Sequence, residues 1–218
     1  AYTGGSPLPQ ELAAQFEHRL GIPVRNILGM TECAGLVSIE PAASVRVPGS
    51  VGLRLPFTQV RVVPWRDGAA RLEESCAMGE TGVVVISGPH VSPGYSDPAR
   101  NAGMFETLLD GTHCLVSGDL GHVDVKGYIH ITGRAKDVII RGAHNIDPGL
   151  VEDAFMAHPA VALCAVVGEP DAYAGELPVA YVQARAGHTV DAAALIAFLR
   201  ERTPERAAVP VAIHAVDP

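Results

Sequence analysis

Residues 133–146 read GRAKDVIIRGAHNI. A short apolar run, Val138-Ile139-Ile140, is fenced by Arg134, Lys136, Asp137 and Arg141. An ordinary surface loop has no need of a buried-strand signal enclosed by this much charge. Two readings stand side by side. The stretch is an exposed linker with solvated charges, or its Arg134 serves an anionic or hydroxylated ligand through the fixed donor fork of the guanidinium. The stretch also divides the sequence. β-rich runs punctuated by Gly/Pro turns precede it, and strands alternating with helices follow it. The boundary is therefore placed near Lys136.

Upstream, residues 4–21 read as a turn and a helix. Gly4-Gly5 free the backbone, Ser6 caps, Pro7 starts the helix, and Leu12, Ala13, Phe16 and Leu20 recur at helical spacing before Gly21. IPVRNILG at 22–29 reads as a strand, giving one strand–helix–strand piece of a parallel sheet. Between 49 and 132, VRVV (60–63), GVVVIS (82–87) and HVDVKGYIHIT (122–132) read as antiparallel strands of a small barrel or sandwich, with a hairpin at Lys126-Gly127. Downstream, residues 147–158 read as a helix capped by Asp147 and started by Pro148. VALCAVVG (161–168) and PVAYVQAR (178–185) read as strands, and 190–201 as a second helix. The expected fold class is thus mixed α/β and α+β. Its divisions are an α/β end-piece (1–48), a β-barrel-like subdomain (49–135) and a small α+β domain (136–218).

Composition narrows the function. The chain has 218 residues, is 48% hydrophobic and only 5% aromatic, and carries a net charge of −8. That balance argues against non-specific binding to nucleic acid or an anionic membrane, both of which want a positive face. No apolar run approaches the roughly 18 residues of a membrane span. The four cysteines, Cys33, Cys76, Cys114 and Cys164, form no C-x-x-C pair, which disfavours a structural zinc site and suits a reducing cytoplasm. Nine histidines are scattered and read as surface or core residues. The chain opens on AYTGGSP, without an initiator Met, and closes on AIHAVDP, so it is expected to be a piece of a longer protein.

Four short stretches carry candidate chemistry. Gly4-Gly5-Ser6-Pro7 is a strand-to-helix turn or a backbone that lies close to a flat ligand. Gly29-Met30-Thr31-Glu32 closes a strand, where α/β sheets bind ligands. Its hydroxyl and carboxylate suit a phosphate and Mg²⁺, or a simple cap. In Ser117-Gly118-Asp119-Leu120-Gly121, the Asp is a turn residue or an acceptor for ribose hydroxyls. The fourth is the opening stretch. No G-x-x-x-x-G-K-[ST], G-x-G-x-x-G or G-x-S-x-G is present.

The order GGSP, GMTE, GETG…PGY, GD and GRAKDVIIRGAHNIDP…VE resembles the adenylate-forming superfamily: acyl-coenzyme A synthetases, firefly luciferase and peptide-synthetase adenylation domains. The resemblance runs nearly the whole chain. It implies an ATP-dependent acid–thiol ligase that joins a carboxylate to the α-phosphate of ATP, releases pyrophosphate, and passes the acyl group to coenzyme A after the small C-terminal domain rotates. It implies that Gly4, Gly5 and Ser6 lie near adenine and the acyl group, and that Asn26, Ile27, Leu28, Gly29, Met30 and Thr31 wrap the adenine and α-phosphate. By the same resemblance Thr31 contacts phosphate, Glu32 holds Mg²⁺, Asp119 binds the ribose hydroxyls, Arg134 adds a ribose or phosphate contact, and Lys136 is the hinge. Gly142, Ala143 and His144 line the path of the pantetheine arm.

Departures are Leu28, where family members often place an aromatic residue, and Ala174, where a basic residue often precedes Gly175-Glu176. The family's phosphate loop lies upstream of residue 1 and its catalytic lysine just beyond the last residue, so the isolated chain is expected to be inactive. Met30, Cys33, Ala34 and Gly35 suit an uncharged aliphatic or aromatic acid. The expected partners are that acid, ATP and coenzyme A in the cytoplasm, with a homodimer left open. An adenylation domain loading a carrier protein, or a nucleotide-binding module without catalysis, are the alternatives.

Overall fold

The computed structural model describes residues 1–5, 8, 10–142, 144–203 and 205–216. Ser6, Pro7 and Ala143 lie outside the described residues, and with them the expected cap and start of the first helix. Contacts divide the chain into Ala1–Ala135 and Lys136–Pro218.

The first unit runs β1 (Tyr2–Thr3), α1 (Gln10–Leu20), β2 (Arg25–Met30), β3 (Gly35–Ile39), β4 (Ser50–Arg54) and β5 (Gln59–Val63). A small hairpin, β6 (Trp65–Arg66) and β7 (Ala69–Ala70), precedes β8 (Gly82–Ser87), β9 (Phe105–Thr107), β10 (His113–Val123) and β11 (Tyr128–Arg134). A sheet of nine strands follows the order β1-β2-β3-β4-β11-β10-β8-β5, with β9 paired to β10. β1 and β2 are parallel and joined through α1, as the crossover rule requires.

The expected barrel-like form is corrected here. The sheet is open, with β1 and β5 at its ends. The reason is that β3 pairs with β4, Ser38 opposite Arg54 and Ile39 opposite Leu53. The 49–135 strands therefore extend the α/β sheet instead of closing on themselves. For the same reason the structure shows no break at residue 48, where the sequence reading drew a division.

One side of this sheet packs on a cluster of Cys33, Val37, Val84, Ile86, Val91 and Leu115, with Leu28, Met30 and Phe105 against it. All six residues of β8 are buried, so GVVVIS is a central strand covered on both faces. The expected hairpin at Lys126-Gly127 is present. Asp124 Oδ1 accepts from Lys126 N at 2.8 Å and Tyr128 N at 2.9 Å, a side chain standing in for backbone partners in the turn. On α1 only Ala13 of the expected apolar face is buried, while Leu12, Phe16 and Leu20 remain exposed.

The second unit contains β12 (Ile139–Arg141), β13 (His144–Ile146), α2 (Pro148–Met156), β14 (Val161–Asp171), β15 (Gly175–Ala184), α3 (Ala192–Arg202) and β16 (Ala212–Ala215). Its sheet order is β13-β12-β15-β14, with β16 parallel to β15. Asp147 caps α2 by accepting from Gly149 N at 3.0 Å, with Pro148 in the first turn. Asp191 caps α3 in the same way. Val151, Phe155, Leu195 and Leu199 lay the two helices on Ile139, Ile146, Val161, Val166 and Val182. The apolar Val138-Ile139-Ile140 run thus becomes a strand whose Ile139 is core and whose Ile140 faces out. Among the described residues, no helix is long and apolar enough to cross a membrane.

Candidate functional site

Candidate residues of the first unit fall into separate groups. Asn26–Met30 occupy β2, and Thr31-Glu32 open the 3-10 turn Thr31–Cys33 that ends it. Leu28 and Met30 lean on the core cluster. Asn26 is already engaged, its Nδ2 donating to Ser50 O at 3.1 Å. Gly4 lies against β2, where a Cβ at its position would meet Ile27 Cγ1 at 2.5 Å. The glycine thus lets the segment after β1 close on Ile27. Cys33 is 1% exposed, and burial, reinforced by the charge of Glu32, pushes its thiol up to about 11. It is a core residue, and it also lines part of the surface groove bordered by Ala34 and Gly35. Ala34 and Gly35 border this open space, a shallow groove of about 440 Å³ with Leu36, Leu55, Phe57 and Pro89.

Glu32 is held at two points by the loop between β8 and β9. Ser92 N donates to its main-chain oxygen at 2.8 Å, and the Tyr95 hydroxyl donates to its Oε1. The hydrogen bond to Glu32 raises the Tyr95 pKa, with burial adding to it. The second carboxylate oxygen of Glu32 has no partner among the described residues. No group of three or more His, Cys, Asp or Glu able to hold a metal by itself occurs among the described residues. One free carboxylate oxygen fits a Mg²⁺ that arrives on phosphates, because that ion is commonly bound by one or two carboxylates, water and nucleotide oxygens.

Asp119 and Arg134 come together. They are opposite one another on β10 and β11, and Arg134 Nη1 lies 3.0 Å from Asp119 Oδ1. Asp119 is 6% exposed, whereas half of the Arg134 side chain is in solvent. Burial pushes the Asp119 carboxyl above the usual carboxylate range; Arg134 and Ser117 pull it partway back. Ser117 Oγ accepts from Asp119 N at 3.1 Å and donates to Val84 O at 2.8 Å, anchoring the turn to the central strand. No hydrogen bond or ion pair joins this pair to Thr31-Glu32 among the described residues. In the sheet order, β3, β4 and β11 lie between β2 and β10.

Lys136 is in the 3-10 turn Ala135–Asp137, at the sequence boundary of the units. In the second unit, Gly142 follows β12 and His144 opens β13, opposite Arg141. Gly142 has φ +60, and its N–H donates to Ala174 O at 2.6 Å. Ile140 N donates to Glu176 Oε2 at 2.8 Å, Arg141 Nη1 to Ala207 O at 2.7 Å, and His144 Nδ1 lies 3.4 Å from Glu205 Oε2. The β12–β13 hairpin is therefore tied to two later segments of its own unit, around 174–176 and 205–207. Tyr95 and Glu205 escaped sequence reasoning as site neighbours, whereas Glu176 was marked by the Gly175-Glu176 pair. The PGY motif marked Tyr95, but nothing in its spacing showed that it reaches back to Glu32.

An open α/β sheet carries an acid–guanidinium pair on adjacent strands, and a small α+β unit with a braced glycine turn follows it in the chain. Residues 1–96 match the family described as AMP-binding enzyme, and residues 150–218 match the AMP-binding enzyme C-terminal domain. The chain belongs to this adenylate-forming family. Marinolic acid–CoA ligase of Pseudoalteromonas sp. (strain SANK 73390) is 42% identical over 97% of this chain and 32% of its own length. The crystal structure of ATP-bound MatB from Rhodopseudomonas palustris covers the whole chain with a TM-score of 0.88 at 32% identity, using 41% of its own length. O-succinylbenzoate coenzyme A synthetase (MenE) from Bacillus subtilis, in complex with ATP and magnesium ion, gives a TM-score of 0.79 at 31% identity, over 99% of this chain and 42% of its own. The chain thus spans about a third of the curated relative and about two-fifths of each solved structure.

Proposed function

We propose that the protein carrying this chain is an ATP-dependent acyl-coenzyme A synthetase. In the first half-reaction a carboxylate oxygen attacks the α-phosphorus of ATP, and pyrophosphate leaves with the bonding pair. In the second, the thiol sulfur of coenzyme A attacks the acyl carbonyl, AMP leaves, and the thiol proton passes to solvent. The observation that carries this reading is the Asp119–Arg134 pair: a buried acceptor with an exposed cationic donor beside it, on adjacent strands.

In this reading Asp119 accepts from the ribose hydroxyls, and Arg134, half in solvent, turns donors toward ribose or phosphate. The main chain of β2 and Gly4–Gly5 border the base. The Thr31 hydroxyl donates to phosphate, and Glu32 would hold Mg²⁺, which supplies charge neutralisation at the phosphates when bound. Lys136 is the hinge of a mobile second unit, and Gly142 and His144 serve the pantetheine arm. The acid is uncharged, aliphatic or aromatic; the groove beside Ala34 and Gly35 is lined largely by apolar residues, which supports this choice. The setting is cytoplasmic.

The test is formation of AMP and acyl-coenzyme A by the whole protein across a panel of fatty and aromatic acids. Thioester with free coenzyme A supports the reading. Adenylate without thioester would favour loading of a carrier protein, and no adenylate with any acid would favour a non-catalytic module.

A further inference from the structure

The loop between β8 and β9 does more than connect strands. Its residue Ser92 holds the Glu32 main chain at 2.8 Å, and its Tyr95 hydroxyl holds the Glu32 carboxylate. Tyr95 is itself fixed from behind. Its N–H donates to Asn101 Oδ1 at 2.7 Å. Its ring meets Phe105 edge-on, with centroids 5.6 Å apart at 81°. Phe105 stacks on His113 at 5.8 Å and 3°. The His113 Nε2 lies 2.9 Å from Ser92 O, which returns the chain of contacts to the residue that grips Glu32. Phe105 also packs on the core cluster containing Cys33, the neighbour of Glu32. The hydroxyl is thus the tip of a closed ring of contacts anchored in β9 and β10, and it engages one oxygen of a carboxylate whose other oxygen has no partner among the described residues.

We propose that Tyr95 is a positioning residue for Glu32: by donating to Oε1 it fixes the carboxylate plane so that the second oxygen faces a nucleotide-bound divalent cation. This rests on the reading of Glu32 as the magnesium carboxylate. The physical logic is that of an outer hydrogen bond to a metal ligand, which removes the carboxylate's rotational freedom before the ion arrives. Loss of such a partner typically weakens metal binding by about 10- to 100-fold.

The experiment measures Mn²⁺·ATP binding to the whole protein by electron paramagnetic resonance of free Mn²⁺. Metal-free ATP binding by calorimetry in chelator and thermal stability are followed in parallel. The variants are Tyr95→Phe, Glu32→Gln and the double variant. Tyr95→Phe keeps the ring, so its contacts with Phe105 survive. The expected result is Mn²⁺·ATP binding weakened about ten-fold or more by Tyr95→Phe, with metal-free ATP binding and melting temperature unchanged. Adding Tyr95→Phe to Glu32→Gln should cause no further loss. Unaltered Mn²⁺·ATP binding by Tyr95→Phe, with Glu32→Gln impaired, overturns the positioning role and leaves the magnesium reading standing. Equal losses with and without metal, or a lowered melting temperature, show a structural role and overturn it as well. Unaltered binding by Glu32→Gln overturns the magnesium reading itself, and this inference with it.

Discussion

Asp119 and Arg134 lie opposite each other because the β10–β11 ladder slips by one residue. His122 pairs with His130 and Gly121 with Ile131; the register then shifts between Leu120 and Gly121, so that Leu120 meets Gly133 and Asp119 meets Arg134. Without the slip, the spacing set by His122 and His130 would place Gly133 opposite Asp119. A Cβ on Gly121 would stand 2.2 Å from His130 O, so the close approach at the slip requires glycine. Gly121→Ala should therefore destabilise the first unit by more than about 1 kcal/mol and weaken nucleotide binding. Denaturant unfolding with parallel ATP titration checks both.

Asp119→Asn separates binding from stability. The Asp119 carboxyl is raised above its ordinary value of about 3.9 because burial disfavours the charge. A raised folded-state pKa means that the folded protein holds this proton more tightly than the unfolded chain. The stability it contributes is full below the ordinary value and is lost as pH rises through the folded value. The amide carries no such charge. The melting temperature of Asp119→Asn should accordingly gain on that of the parent from roughly pH 4 upward, while its affinity for nucleotide falls. Parallel melts and ATP titrations across that range test the claim. A parent that gains on the variant with rising pH would contradict it.

Gly142→Leu should act on the thiol step alone. The position has φ +60, and nothing stands within 4 Å of an added Cβ, so the change brings backbone strain of about 1–2 kcal/mol and a side chain in the proposed thiol path. In the whole protein, pyrophosphate release should persist while thioester formation falls at least about ten-fold, a factor worth some 1.4 kcal/mol. Equal loss of both half-reactions would remove Gly142 from the thiol path.

Phe57→Gly should stabilise. Leu55–Thr58 form a tight turn, with Thr58 N donating to Leu55 O at 3.1 Å. Pro56 sits at its second position and Phe57, at φ +65, at its third. That third position favours glycine. The ring is 84% exposed, so its removal sacrifices little burial. Relief of the left-handed strain, less the greater freedom of glycine in the unfolded chain, should gain about 0.5–1 kcal/mol in denaturant unfolding.

Local chemistry made much of the fold legible. The cap and proline at Asp147-Pro148 start α2, and Asp124 with Lys126-Gly127 makes the β10–β11 hairpin. The runs at 60–63 and 82–87 fall in strands, and that at 178–185 does so up to Ala184. Long-range pairing was not legible. Nothing near residue 50 announces that β4 adds to β3 and keeps the sheet open. The spacing on α1 signalled a buried face, yet Phe16 remains 37% exposed because periodicity tells which residues share a face and not what covers it. In the site, Asp119 and Arg134 were each visible as chemistry. Their contact depends on a one-residue slip, and the contact of Tyr95 with Glu32 spans 63 residues of chain.

The central claim is that the whole protein activates a carboxylate by adenylation. Acid-dependent exchange of labelled pyrophosphate into ATP tests it most directly, because the exchange requires reversible formation of the acyl-adenylate and no thiol. The account predicts exchange that appears only with a suitable uncharged aliphatic or aromatic acid and Mg²⁺, and that Asp119→Asn strongly reduces. No exchange with any acid, or exchange at the same rate without acid, would contradict it.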